Sequence, residues 1–199
     1  MDAPSNAPKI KFRDQGIIQL CEVRLSYPHL FEPWNLEEGK PKKYGAKFIM
    51  AVATHREEIK ALHGAITALS METYKSKLPA DRYCLRDGNL TENPESKNAW
   101  NVSASEATKP KVAGTDGQPL PDGSPLIYAG CTVNAYIKLW AHSGPTVQRF
   151  GKRVNANLLG VQFVRHGERI GVERPDVSPM FESLGAGEVV EMETDDFQL

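Results

Sequence analysis

The chain reads as a mainly β protein: a small barrel of strands with one amphipathic helix, long loops and an acidic tail. Three observations predict this. Strand-type alternation recurs in several short stretches, most clearly from Cys131 to Ala141. Only one segment, beginning at Thr54, has helical periodicity. The segment from Pro175 to Leu199 carries seven carboxylates and no Lys or Arg. A length of 199 residues suits one domain with elaborations, large enough to bury a core. Fourteen Pro and sixteen Gly announce many turns. The expected division is a flexible N-terminal arm over 1–16, a β domain over 17–174 and a tail over 175–199.

Residues 1–15 are polar and hold Lys9, Lys11 and Arg13. With no basic start and no apolar core they do not read as a signal peptide. Ile17 to Leu25 is rich in β-formers and predicts a first strand. Ser26 to Lys43 reads as a loop because Pro28 and Pro33 interrupt it. Tyr44 to Ala53 predicts a second strand, with Tyr44, Ala46, Phe48 and Met50 on one face and Lys47 on the other. Thr54 and Glu57 have the spacing of a capping box. Ile59, Leu62, Ile66 and Leu69 then form one apolar stripe to about residue 75. From Leu78 to Gly130 turn residues dominate, and short strands are expected near Ala99–Ser103 and Pro125–Tyr128.

Cys131, Val133, Ala135, Ile137 and Leu139 alternate with Thr132, Asn134, Tyr136, Lys138 and Trp140. One face is apolar and belongs to a core, and the other sets Tyr136, Lys138 and Trp140 in a row. A loop with Arg149, Phe150, Lys152 and Arg153 leads to a last strand from Val154 to Arg165. Several strands, one helix and turn-rich links make a small barrel with a helical cap.

Charge narrows the function. Net charge is −1, yet without the tail's seven carboxylates the 24 basic side chains face only 18 acidic ones. A basic body of this kind suits an anionic ligand, most often nucleic acid. Catalysis has little support. His29, His55, His63, His142 and His166 are scattered, with no zinc-peptidase or deaminase spacing. Asp81, Asp87, Glu92 and Glu95 are acidic neighbours in a loop-like stretch, with no rigid strand to hold a metal. No phosphate-cradling glycine loop is present, so no cofactor, metal or catalytic residue is expected. Cys21, Cys84 and Cys131 are odd in number and widely spaced, which argues against a disulfide framework.

Binding chemistry is better supplied. An unpaired nucleic-acid strand offers bases that stack on rings and phosphates that Lys and Arg neutralise, with stacking worth about 1–3 kcal/mol per base. Tyr136, Lys138 and Trp140 provide both interactions on one strand face, and Arg149, Phe150, Lys152 and Arg153 repeat the mixture in the next loop. Tyr44, Lys47 and Trp100 are further candidates. The tail from Gly185 is charged and poor in apolar residues, so disorder is expected there in isolation.

Two blocks, Leu25-Ser-Tyr-Pro-His-Leu-Phe-Glu-Pro33 and Lys43-Tyr-Gly-Ala-Lys-Phe-Ile-Met50, resemble the opening of a bacteriophage single-stranded DNA-binding protein family. Gly160-Val-Gln-Phe-Val-Arg-His-Gly-Glu-Arg-Ile-Gly171 and the acidic, Phe-containing terminus are similar to its later half. The resemblance spans about residues 17–199 and is loosest over 78–130. It implies an OB-type barrel, work in phage replication and recombination within the cytoplasm of the infected host, and no enzymatic activity. It also implies a tail that docks on replication proteins such as a polymerase or helicase-primase, and often a dimer. On matching positions it places Tyr44 and Lys47 at the DNA surface. In the tail, Glu191, Glu193, Asp195, Asp196 and Phe197 would meet the partner. The helix departs from the common OB order, because it follows two strands instead of three. The rival readings are a metal-dependent nuclease or strand-annealing recombinase, and an adaptor that acts through its tail alone.

Overall fold

A computed structural model describes residues 8–35, 39, 41–171 and 180, so the expected acidic tail apart from Met180, including Glu191, Glu193, Asp195, Asp196 and Phe197, lies outside the described residues. The strands are β1 (Ile10–Phe12), β2 (Ile17–Trp34), β3 (Lys43–Ala51), β4 (Leu85–Asp87), β5 (Ala99–Glu106), β6 (Lys111–Ala113), β7 (Thr132–Ala141) and β8 (Val154–Arg165). The helices are α1 (Val52–Tyr74) and the short α2 (Pro145–Phe150). One eight-stranded sheet runs β4-β5-β3-β2-β7-β8-β6, with β1 added beside β2. Every pairing is antiparallel except β6 with β8. The ladder does not close. An isolated bridge from Tyr83 to Val154, with the Cys84 N–H donating to the Val154 carbonyl at 2.9 Å, brings the residues just before β4 against the start of β8. The strands β5-β3-β2-β7-β8 have the order of an OB-like barrel, and α1 lies between its second and third strands, as the sequence suggested.

The alternation read in β7 is what the fold uses. Cys131, Val133, Ala135 and Ile137 are fully buried, facing Leu20, Leu25 and Phe48 across the core. Ile59, Leu62 and Ile66 of α1 close one end of that core. Lys75, in the left-handed region at φ 57°, ends the helix. Among the described residues no helix is long and apolar enough to cross a membrane.

Four expectations need correction. Residues 10–12 are not part of a loose arm: they pair with β2, and the Lys9 N–H donates to Glu58 of α1 at 3.2 Å. Much of the stretch read as a loop after Leu25 is strand, because register shifts after Ser26 and after His29 accommodate Pro28 and Pro33 in irregular positions where no ladder hydrogen bond is required of them. The capping box does not form. The helix starts at Val52, kinks at His55, and the Thr54 hydroxyl pairs with His55 Nδ1 at 2.8 Å. Pro125–Tyr128 forms turns, and Leu126, Ile127 and Tyr128 pack on the core without joining a ladder.

Candidate nucleic-acid interface

The barrel's outer surface carries three groups of rings and cations. The first is built by an irregularity in β2. At the register shift after Ser26, Tyr27 takes φ 48°, a left-handed conformation that is costly for a bulky side chain, and its ring is 52% exposed. Lys47 lies opposite Ser26 on β3, and its Nζ sits 4.6 Å from the Tyr27 ring centroid. One step along, His29 faces Gly45 and stacks on Trp34 at 4.8 Å with planes 8° apart. Trp34 is 47% exposed and lies opposite Lys43. On the other side of β3, the exposed Ser103 and Ser105 face Lys47 and Gly45. Small residues thus leave an open floor between the rings and the edge of the sheet. Tyr44 occupies the opposite face of β3 from Lys47, in register with Glu106. Trp100 pairs with Met50 and packs against the core, so it too lies off the Lys47 face.

The second group is the β7 row. Tyr136 lies between Gln19 and Gly160, and its hydroxyl donates to Gln162 at 3.4 Å. Lys138 is exposed between Ile17 and Asn157, and Trp140 is 36% exposed beside Asn155. Lys11 and Arg13 border this row, with Arg13 donating to Gln19 at 2.7 Å. Lys138 registers with Ile17 and Lys47 with Ser26, so about 30 Å of β2 separates the two groups at the usual rise of a strand. The structure does not unite them in one patch.

The third group is the β7–β8 connection. Trp140, His142 and Phe150 form a chain of rings with centroids 5.2 and 6.0 Å apart. Arg149 lies 5.0 Å from the Phe150 ring and Lys152 lies 5.5 Å from Tyr74. The connection is anchored rather than loose, since the Tyr74 hydroxyl contacts the His142 and Arg153 carbonyls at 2.8 and 2.9 Å. Arg153 and Arg86 both donate to the Asp81 carbonyl, at 3.4 and 2.8 Å, while Arg82 pairs with the Asp81 carboxylate at 3.5 Å. Arg86 sits on β4 next to β5, so this cationic cluster borders the serine floor of the first group.

Residues 166–171, which lead towards the tail, are fastened close to the first group. Arg24 donates to the Glu168 carbonyl at 2.7 Å, Arg169 lies 4.3 Å from the Tyr128 ring, and the Ile170 N–H donates to Ala129. The approach requires Gly130, at φ 113°, where a Cβ would fall 2.0 Å from the Glu168 carbonyl oxygen.

None of the cysteines is set up for chemistry. Burial pushes the Cys84 thiol up to about 12 and also raises Cys21 and Cys131. Among the described residues no three His, Cys, Asp or Glu side chains gather as a metal site. The sequence pattern did not single out Tyr27, His29 or Trp34, because prolines disguised their strand; rings spaced through a proline-broken β segment were the available signal. Arg82 and Arg86 had no local signal, since only topology brings them to Arg153.

Known proteins resemble this chain in sequence and in fold. The family model described as Enterobacter phage Enc34, ssDNA-binding protein matches residues 17–191. A putative protein p50 from Acyrthosiphon pisum secondary endosymbiont phage 1 is 32% identical over 163 residues, covering 76% of this chain and 84% of the relative. The structure of the single-stranded DNA-binding protein from bacteriophage Enc34 in complex with ssDNA matches with TM-score 0.74 and 29% identity. That match covers 84% of this chain and 96% of the other. The single-stranded DNA-binding protein gp2.5 of bacteriophage T7 shares the fold, with TM-score 0.52 at 15% identity over 82% of this chain and all of the other.

Proposed function

Starting from a chain that belongs to the Enc34 phage ssDNA-binding protein family, we propose that it binds and protects single-stranded DNA without chemical turnover and with little sequence preference. The observation that carries this is the likeness to a relative solved with ssDNA bound. The OB architecture favours the second and third barrel strands and the adjoining loops as ligand surface. In this chain those strands are β3 and β5, which puts Lys47, Tyr27, Trp34 and the serine floor at the centre. Arg149, Phe150, Lys152 and Arg153 lie in the loop that flanks such a surface. Tyr136, Lys138 and Trp140 are a more distant extension, reached if the strand continues around the barrel. Tyr44 and Trp100 support the surface from the other side of their strands.

The acidic tail completes the proposal. Its seven carboxylates complement the basic body, and tethering gives them a high effective concentration at the groove. The nearest described segment, 166–171, is fastened over β2 beside the proposed surface. DNA would displace the tail and free Glu191, Glu193, Asp195, Asp196 and Phe197 to engage replication or recombination proteins.

Fluorescence titration of the full chain with oligo-dT, duplex DNA and RNA tests the reading. Expected are preference for oligo-dT and an affinity that falls steeply with salt, because phosphate neutralisation releases counterions. Equal binding to duplex, or shortening of the oligonucleotide with Mg²⁺, would refute it. A chain ending at residue 181 should bind more tightly; weaker binding would remove the competitive role of the tail.

A further inference from the structure

We infer that Tyr27 and Lys47 work as a switched pair: the Tyr27 ring is a base-stacking platform that Lys47 caps until a nucleotide arrives. This rests on the ssDNA-binding reading and specifies how that surface engages its ligand.

Three independent features meet at this point. First, Tyr27 sits at φ 48° and is 52% exposed, so the backbone holds a large ring outward in a conformation that residues of this size avoid. Strain of this kind persists only where the surroundings enforce it, and such residues concentrate at ligand-binding sites. Second, the Lys47 ammonium lies over the ring, 4.6 Å from its centroid, so the cation sits against the aromatic π system that a base would stack on. Third, Ser26, in register with Lys47, is completely buried and its hydroxyl has no hydrogen-bond partner among the described residues. An unpaired buried hydroxyl is unfavourable, and the closed arrangement therefore leaves a polar need unmet.

Binding uses all three features together. A base displaces the Lys47 ammonium and stacks on Tyr27. The exchange is favourable because stacking on a ring outweighs an exposed cation–ring contact. Lys47 moves to the adjoining phosphate, where it neutralises a full charge. Its departure opens the Ser26 hydroxyl to the nucleotide or to water. Gly45, Ser103 and Ser105 leave room for the sugar-phosphate chain beside Lys47.

The test uses three variants of the full chain, titrated with oligo-dT over a range of salt and melted without DNA. Tyr27→Gly removes the ring and relieves the strained backbone. It should weaken binding by roughly 5- to 150-fold, the loss of one stacked base, while the melting temperature stays level or rises. Tyr27→Phe should bind as wild type. Lys47→Gln should make the log–log salt slope shallower by about 0.7, the signature of one lost phosphate contact on a single strand. Tyr27→Gly should leave that slope unchanged. If wild type binds oligo-dT and Tyr27→Gly binds equally well, the switched pair is wrong and the wider reading stands. A Tyr27→Gly chain that loses stability without losing affinity likewise makes Tyr27 structural. If wild type itself fails to bind, the fault lies with the function and not with this pair.

Discussion

Strand β2 holds two left-handed residues, Glu22 with φ 56° and Tyr27 with φ 48°, and the two places have opposite surroundings. At Glu22 both the backbone N–H and the side chain have partners. The Glu22 N–H donates to Asn134 at 3.0 Å, its carboxylate pairs with Lys9 and Arg165 at 3.2 and 3.3 Å, and His55 Nε2 meets the Cys21 carbonyl at 3.2 Å. At Tyr27 the ring is half exposed beside a lysine, and the neighbouring Ser26 hydroxyl is buried with no partner among the described residues. The same backbone anomaly is internally satisfied in one place and left open in the other. A left-handed residue is therefore informative about function mainly when its neighbours leave interactions unmade.

The segment that passes between the two irregularities offers the largest effect. The Gly130 N–H donates to the Leu25 carbonyl at 2.8 Å, and the Leu25 N–H donates to Cys131 at 2.9 Å. In Gly130→Ala the new methyl would meet backbone on the Glu168 side at a φ that alanine avoids. A destabilisation of about 3 kcal/mol or more is expected, read as a lower denaturation midpoint. Gly64→Ala is the control: it lies in α1 with nothing within 4 Å of the added methyl, and should gain up to about 1 kcal/mol. A Gly130→Ala chain as stable as wild type would mean that residues 166–171 are not fixed over β2.

The next comparison sets the two ring groups against each other. Trp34→Ala should weaken oligo-dT binding by about 1–3 kcal/mol. Tyr136→Ala combined with Trp140→Ala should cost less, because the β7 row lies at the far end of β2, and Tyr136 already has a partner in Gln162. A larger loss from the β7 pair would move the centre of the site to that row.

These alternatives show what could be read from the chain. The β7 row was legible because uninterrupted alternation fixes the facing of every side chain, and Cys131, Val133, Ala135 and Ile137 are buried as that pattern requires. The stripe of Ile59, Leu62 and Ile66 was legible for the same reason. The surface around Tyr27 was hidden because Pro28 and Pro33 look like loop residues, whereas register shifts let one strand run through them. The Arg82–Arg86–Arg153 cluster depends on a single bridge between sequence-distant segments, Tyr83 with Val154, for which local pattern holds no record.

The smallest effects belong to pH, and they concern the satisfied irregularity. Burial lowers the pKa of His55, so the unfolded chain takes up the proton first. His55 therefore contributes stability above its ordinary value near 6.5, and that contribution is lost as pH falls below it. For Glu22, burial pushes the pKa up, but hydrogen bonding and charge from Lys9 and Arg165 outweigh it and leave the carboxyl below its usual 4.5. Its contribution is complete above that value and is lost as pH falls further. Stability should therefore decline in two acid stages, the second smaller because the Glu22 pairs are partly open to solvent. His55→Gln should flatten the first stage and Glu22→Gln the second, in denaturation curves collected from pH 7 to 3. Neither should change oligo-dT affinity at pH 7, where Glu22 is ionised and His55 neutral. If Glu22→Gln weakens DNA binding as much as Lys47→Gln does, the two irregularities share one function, and the contrast between a structural break in β2 and a binding one disappears.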